Sequence, residues 1–142
     1  MTKYKVIVKG MNNKDLFNLD YKTYSQAQLS KYELFKQGYE SVIKFCTKGF
    51  PKEEIYNLTS QVNRSVVSVA SNIAEGFERQ TTKEFIRFLY IAKASAGEVR
   101  SQLYLAFDIN YISNNQFEEL KLKTNQVSKL ISGLIKYLNT TL

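Results

Sequence analysis

Leu58-Thr59-Ser60-Gln61-Val62-Asn63-Arg64-Ser65-Val66-Val67-Ser68-Val69-Ala70-Ser71-Asn72-Ile73-Ala74-Glu75-Gly76 carries Leu58, Val62, Val66, Val69 and Ile73 at steps of four and three. That spacing returns side chains to one face of an α-helix, and Arg64, Ser68, Ser71, Asn72 and Glu75 fall on a polar stripe elsewhere on its surface. Ile55 extends the apolar seam backwards. Pro51 follows Lys48-Gly49-Phe50 and precedes Lys52-Glu53-Glu54, the pattern of one helix ending and another opening with proline in its first turn. Gly76 can adopt the left-handed conformation that ends a helix. The stretch therefore predicts a helix over 51–75.

Working outward, Thr81 and Glu84 are spaced as a capping box, and 110–115 is a second boundary from which Asn115 with Glu118 can start another helix. The expected helices are 29–48, 51–75, 82–109 and 115–139. The first has the seam Tyr32, Phe35, Tyr39, Val42, Cys46. The third has Phe85, Leu89, Ala92, Ala96, Val99, Leu103, Ala106, and the fourth Phe117, Leu120, Thr124, Val127, Ile131, Leu134, Leu138. Short loops make sequence neighbours antiparallel, so the fold class is all-α, an up-down-up-down four-helix bundle over 29–142. Phe88, Ile91, Leu105, Leu122, Leu130, Ile135 and Tyr137 exceed what one seam needs: they widen the core stripe or form a face between copies of the chain. Ala94-Ser95-Ala96-Gly97 would let another helix approach closely.

Residues 1–28 differ in kind. Lys3 to Lys9 reads as a β-branched strand, Gly10-Met11-Asn12-Asn13 as a turn and Leu16 to Leu19 as its return, which makes a short non-helical arm, either a β-hairpin that pairs elsewhere or packs on the bundle, or a partly disordered segment. With 142 residues and 44% hydrophobic content, the chain can bury a core without cross-links. A single cysteine and no histidine argue against an internal disulfide, the usual zinc and iron ligand sets, and Ser-His or Cys-His nucleophiles. No catalytic residue, metal site or cofactor is expected. No apolar run is long enough for a bilayer, and the start is unlike a secretion signal, so the expected location is cytoplasmic. The net charge of +7 favours acidic partners such as nucleic acid.

Residues 58–76 closely resemble the bacterial four-helix-bundle proteins encoded by intervening sequences in 23S ribosomal RNA genes. The run Lys83-Glu84-Phe85-Ile86-Arg87-Phe88-Leu89-Tyr90-Ile91-Ala92, with Ser95, Glu98 and Gln102-Leu103, looks like that family's third helix, and Ile131-Ser132-Gly133-Leu134-Ile135 like its fourth. The resemblance covers roughly 31–140. It extends to accessory proteins of diversity-generating retroelements, which form homopentameric rings and assist a reverse transcriptase, and so implies a homo-oligomer that handles RNA or an RNA-bound partner. Family members commonly have Pro where Ala70 stands, Trp at Phe35, a second basic residue at Asn63 and Gly at Asn110.

Two readings of the polar stripe follow. In one, Arg64 pairs with Glu98 or Glu75, between helices or subunits, and Asn72 fastens the helix end. In the other, the stripe touches RNA or a protein. Arg64, Ser71, Asn72, Glu75, Gly76 and Glu98 are thus candidates for an interface. Arg79, Lys83 and Arg87 recur every fourth residue with Tyr90 one turn on; with Lys121, Lys129 and Lys136 they are the candidate nucleic-acid contacts, weighed against an ordinary solvated face. The functions to be separated are a ring-forming RNA-binding accessory protein and a scaffold docking on a reverse transcriptase or other nucleic-acid enzyme.

Overall fold

The computed structural model describes residues 4–9, 15–21 and 47–142. The helix expected at 29–48 and its seam from Tyr32 to Cys46 lie outside them. Two units separate, Met1–Leu34 and Phe35–Leu142. In the first, β1 (Tyr4–Lys9) pairs antiparallel with β2 (Asp15–Tyr21), aligning Val6 with Leu19 and Val8 with Phe17, with an irregularity between Val8 and Lys9.

In the second unit, residues 47–142 are all-α. Two short 3-10 segments, Thr47–Gly49 and Lys52–Tyr56, lead into α1 (Leu58–Phe77), α2 (Thr82–Asp108) and α3 (Asn114–Asn139). These three helices correspond to the ones expected at 51–75, 82–109 and 115–139. None of the described helices is long and apolar enough to cross a membrane. Helix α2 packs along both α1 and α3, whose backbones lie farther from one another. The core divides into two clusters. One joins the start of α1, the end of α2 and the start of α3 through Leu58, Val62, Val99, Leu103 and Phe117, closed by Phe50 and Ile112. The other joins the opposite ends through Val69, Phe85, Leu89, Ile131, Leu134 and Leu138. Consecutive helices are therefore antiparallel.

Four local expectations are corrected. Pro51 opens a 3-10 segment, not the α-helix, and Ile55 is 58% exposed outside the seam. The α-helix starts at Leu58 because Glu54 Oε2 accepts its backbone N–H at 3.2 Å, capping from four residues upstream. Gly76 is not a left-handed stop: no glycine has positive φ among the described residues, and α1 continues to Phe77. A Cβ there would lie 2.5 Å from Phe88 Cβ and 3.0 Å from Phe85 Cδ2, so glycine permits the close approach of α1 to α2. The cap of α3 is Ser113 with Gln116, not Asn115 with Glu118: Ser113 Oγ accepts from the Gln116 N–H at 3.3 Å, while Gln116 Oε1 accepts from the Ser113 N–H at 2.9 Å. Thr81 caps α2 by accepting from the Glu84 N–H at 3.2 Å, but its hydroxyl then donates to Glu84 Oε2, so the reciprocal half of a capping box is not made.

Asn110 supplies the left-handed residue, with φ of 60°. Beyond the end of α2, Asn110 N–H reaches Phe107 O at 2.9 Å and Tyr111 N–H reaches Ala106 O at 2.8 Å, the paired closing bonds of a Schellman motif. Asparagine tolerates this conformation better than most residues with a Cβ, and it stands where the resembling family commonly has glycine.

The surplus apolar residues divide. Ile135 is buried in the core, Tyr137 packs half-buried against it, and Ile91 and Leu105 are exposed. In Ala94-Ser95-Ala96-Gly97, Ser95 and Ala96 are buried against neighbours, whereas a methyl at Gly97 would meet nothing closer than Arg100 Nη2 at 3.9 Å.

Candidate nucleic-acid interface

The polar groups between α1 and α2 are largely satisfied by one another. Ser65 and Ser95, only 4% and 5% exposed, sit on the facing sides of the two helices. Ser68 Oγ and Ser95 Oγ are 2.8 Å apart. Ser65 Oγ has Gln61 O at 3.0 Å and Glu98 Oε2 at 3.1 Å as acceptors for its single proton, and accepts from Gln102 Nε2 at 3.0 Å. Between α2 and α3, Arg100 Nη1 donates to Asn125 Oδ1 at 3.0 Å and Ser128 Oγ at 3.2 Å. Of these groups the sequence reading singled out Ser68 in the polar stripe and Ser95, Glu98 and Gln102 in the resemblance, and missed the roles of Ser65, Arg100, Asn125 and Ser128. The available signal was Ser65, three residues beyond Val62 and four before Val69: a hydroxyl on the edge of the seam needs a partner.

Within one chain this network takes the place of the pairings expected of the polar stripe. Arg64 is exposed and, within the chain, forms no ion pair with Glu98 or Glu75. Glu98 takes the Ser65 hydroxyl, and Glu75 takes Arg79. Asn72 does not fasten the helix end: its Nδ2 donates back to Ser68 O at 2.8 Å and Ser68 Oγ at 3.1 Å. Ser71, like Arg64 and Glu75, is exposed on α1.

The six candidate cations behave in two ways. Arg79 lies in the turn between α1 and α2, so it does not continue the α2 row; it contacts Glu75 Oε1 at 2.5 Å, and its guanidinium sits 4.7 Å from the Phe88 ring centroid. Lys121 contacts Glu118 Oε1 at 2.7 Å and stands 4.8 Å from the Phe117 ring centroid. Its pKa is raised above the ordinary lysine value chiefly by the hydrogen bond to Glu118, with desolvation opposing. Lys83, Arg87, Lys129 and Lys136 are exposed, and no ion pair holds them among the described residues. Lys83 and Arg87 are on the first half of α2 and Lys129 and Lys136 on the second half of α3, the halves joined by the second core cluster.

Charge follows the same division. Residues 69–96 and 127–142, which enclose the second cluster, hold six basic and three acidic residues, whereas 47–68 and 97–126 hold six of each. One half of residues 47–142 thus has excess positive charge, and most of its cations have no ion pair among the described residues. Among the described residues there is no group of three or more acidic or sulfur ligands placed to hold a metal ion.

A family model described as 23S rRNA-intervening sequence protein matches residues 23–133, more than half of the chain. The chain belongs to this family. A crystal structure from Bacteroides thetaiotaomicron, of a protein with unknown function from the S23 ribosomal protein family, superposes with a TM-score of 0.57 at 24% identity, covering 80% of this chain and 99% of that one. At that identity the likeness shows a shared fold alone. No curated protein matches the chain. In this member of the 23S rRNA-intervening sequence protein family, the stretch 58–76 that carried the resemblance mainly builds the α1–α2 seam, while Lys83, Arg87, Lys129 and Lys136, without ion pairs among the described residues, stand on α2 and α3.

Proposed function

We propose that this protein is a non-catalytic, self-associating RNA-binding accessory protein. The observation that carries the reading is the concentration of Lys83, Arg87, Lys129 and Lys136, exposed and without ion pairs among the described residues, on the half with six basic and three acidic residues. A phosphate backbone rewards such a surface by releasing condensed counterions, and no side chain need abandon an internal carboxylate to bind it. The family description, tied to the 23S rRNA intervening sequence, suits an RNA partner. Repetition of the patch in a homo-oligomer, a pentameric ring in the resembling accessory proteins, would raise avidity without new contacts.

A second reading, docking on a reverse transcriptase or other nucleic-acid enzyme, draws on the neutral half, where Tyr104, Leu105 and Ile109 are exposed near the end of α2. Titrating labelled RNA at about 50 and 200 mM salt separates the two. The variant Lys83→Ala/Arg87→Ala/Lys129→Ala/Lys136→Ala is expected to bind at least about tenfold more weakly at low salt, with a salt slope flatter by roughly 0.7 per lost phosphate contact. The control Lys121→Ala/Lys123→Ala, in the half without excess charge, should change little. No binding by the wild type at low salt, or equal losses in both variants, rejects the RNA reading in favour of docking. Light scattering should give a mass several times the 16.4 kDa of the subunit; a monomer at micromolar concentration defeats self-association.

A further inference from the structure

We infer that the outward face of the first half of α2 binds unpaired nucleotides, with Tyr90 as the stacking platform; this rests on the RNA reading above and specifies its ligand. Lys83, Arg87 and Tyr90 are spaced four and three residues apart, so they share one stripe, with Lys83 and Arg87 about 6 Å apart along the axis and Tyr90 about 4.5 Å beyond. All three are exposed, Tyr90 at 55%. No hydrogen bond, ion pair or ring contact engages any of them among the described residues. Where α2 ends beside the start of α3 the arrangement differs: Tyr104 packs edge-on against Phe117 at 4.9 Å and Lys121 is taken up by Glu118.

Charge complementarity selects an anionic polymer, and the aromatic ring selects among anionic polymers. In an RNA duplex the bases are stacked on one another and the major groove is too deep and narrow for side chains to read, so a ring on the convex side of a helix has no base face to cover. An unpaired strand offers base faces along with its phosphates, and stacking on an aromatic side chain tolerates any base. The geometry thus assigns Lys83 and Arg87 to successive phosphates and Tyr90 to a base between or beside them. Sequence preference should be slight.

The test compares a labelled unstructured single-stranded RNA with a blunt RNA duplex of equal length, bound to the full chain and to Tyr90→Ala and Tyr90→Phe. Expected is tighter binding of the single strand by the wild type, a loss of roughly 5- to 150-fold for that strand in Tyr90→Ala, little change for the duplex, and retention in Tyr90→Phe. Because Tyr90 is exposed, circular dichroism should show the variants folded as the wild type. Equal binding of both RNAs unaffected by Tyr90→Ala overturns this inference and leaves the RNA reading standing; binding of neither RNA at low salt overturns both. If Tyr90→Ala lowers the mass in solution and weakens both RNAs alike, the face is a contact between copies of the chain and the inference falls.

Discussion

At the level of single residues, Gly76 and Asn110 show what a sequence can and cannot disclose. Both stand near helix ends and both belong to residue types that tolerate left-handed backbone, yet only Asn110 uses that freedom. What decides Gly76 is Phe88 Cβ, a neighbour twelve positions away in sequence that helical periodicity does not bring into view. Replacing Gly76 by Ala should favour the isolated helix by about 1 kcal/mol through propensity. The added methyl must nevertheless displace a Cβ attached directly to the backbone of α2, and overpacking of that kind costs about 1–3 kcal/mol. The expected outcome is a net loss of stability in urea unfolding; a higher midpoint would show that α1 and α2 can separate without penalty. The candidate cations were legible as charges but not as free charges. Arg79 looked like the first member of the α2 row, and the turn places it on Glu75 and Phe88 instead.

Among the elements, the seams of α2 and α3 were readable because each is a local periodic signal with a local cap, and both helices fall within a residue of the expected bounds. The start of α1 was not, because its determinants are distant. Glu54 caps Leu58 with one carboxylate oxygen and accepts the Tyr111 hydroxyl at 3.1 Å with the other, across 57 residues of sequence. Phe50 packs on the Tyr111 ring with centroids 5.5 Å apart, which completes a clasp between the entry to α1 and the α2–α3 connection. Desolvation chiefly, then the hydrogen bond and charge of Glu54, raise the Tyr111 pKa above the usual tyrosine value near 10. The neutral hydroxyl is therefore favoured in the folded chain. Its contribution is complete below the unfolded-state pKa and fades as pH rises through the folded-state value. Tyr111→Phe should accordingly be less stable than wild type near neutral pH, and the gap should narrow in thermal melts above about pH 10. A gap that widens with alkalinity would contradict the clasp.

Across residues 47–142, the all-α class and the antiparallel order of neighbouring helices follow from seams and short connections. The division of charge between halves was present in the sequence, but it became visible only when antiparallel packing set the start of α2 beside the end of α3. Helix α2 shares long interfaces with both neighbours, whose backbones lie farther from one another, and Leu89, Ala92, Leu103 and Ala106 along it are fully buried. Loss of either flanking helix would therefore break one of these two interfaces, whereas release of α2 would dismantle both. Native-state hydrogen exchange should find the slowest amides in α2, opening only with the whole unit; slower exchange in α1 or α3 would refute that order. A ligand seated on Lys83, Arg87 and Tyr90 would hold the last helix to let go. Its binding energy would then oppose wholesale melting, while peeling of the outer helices went on beneath it almost undisturbed.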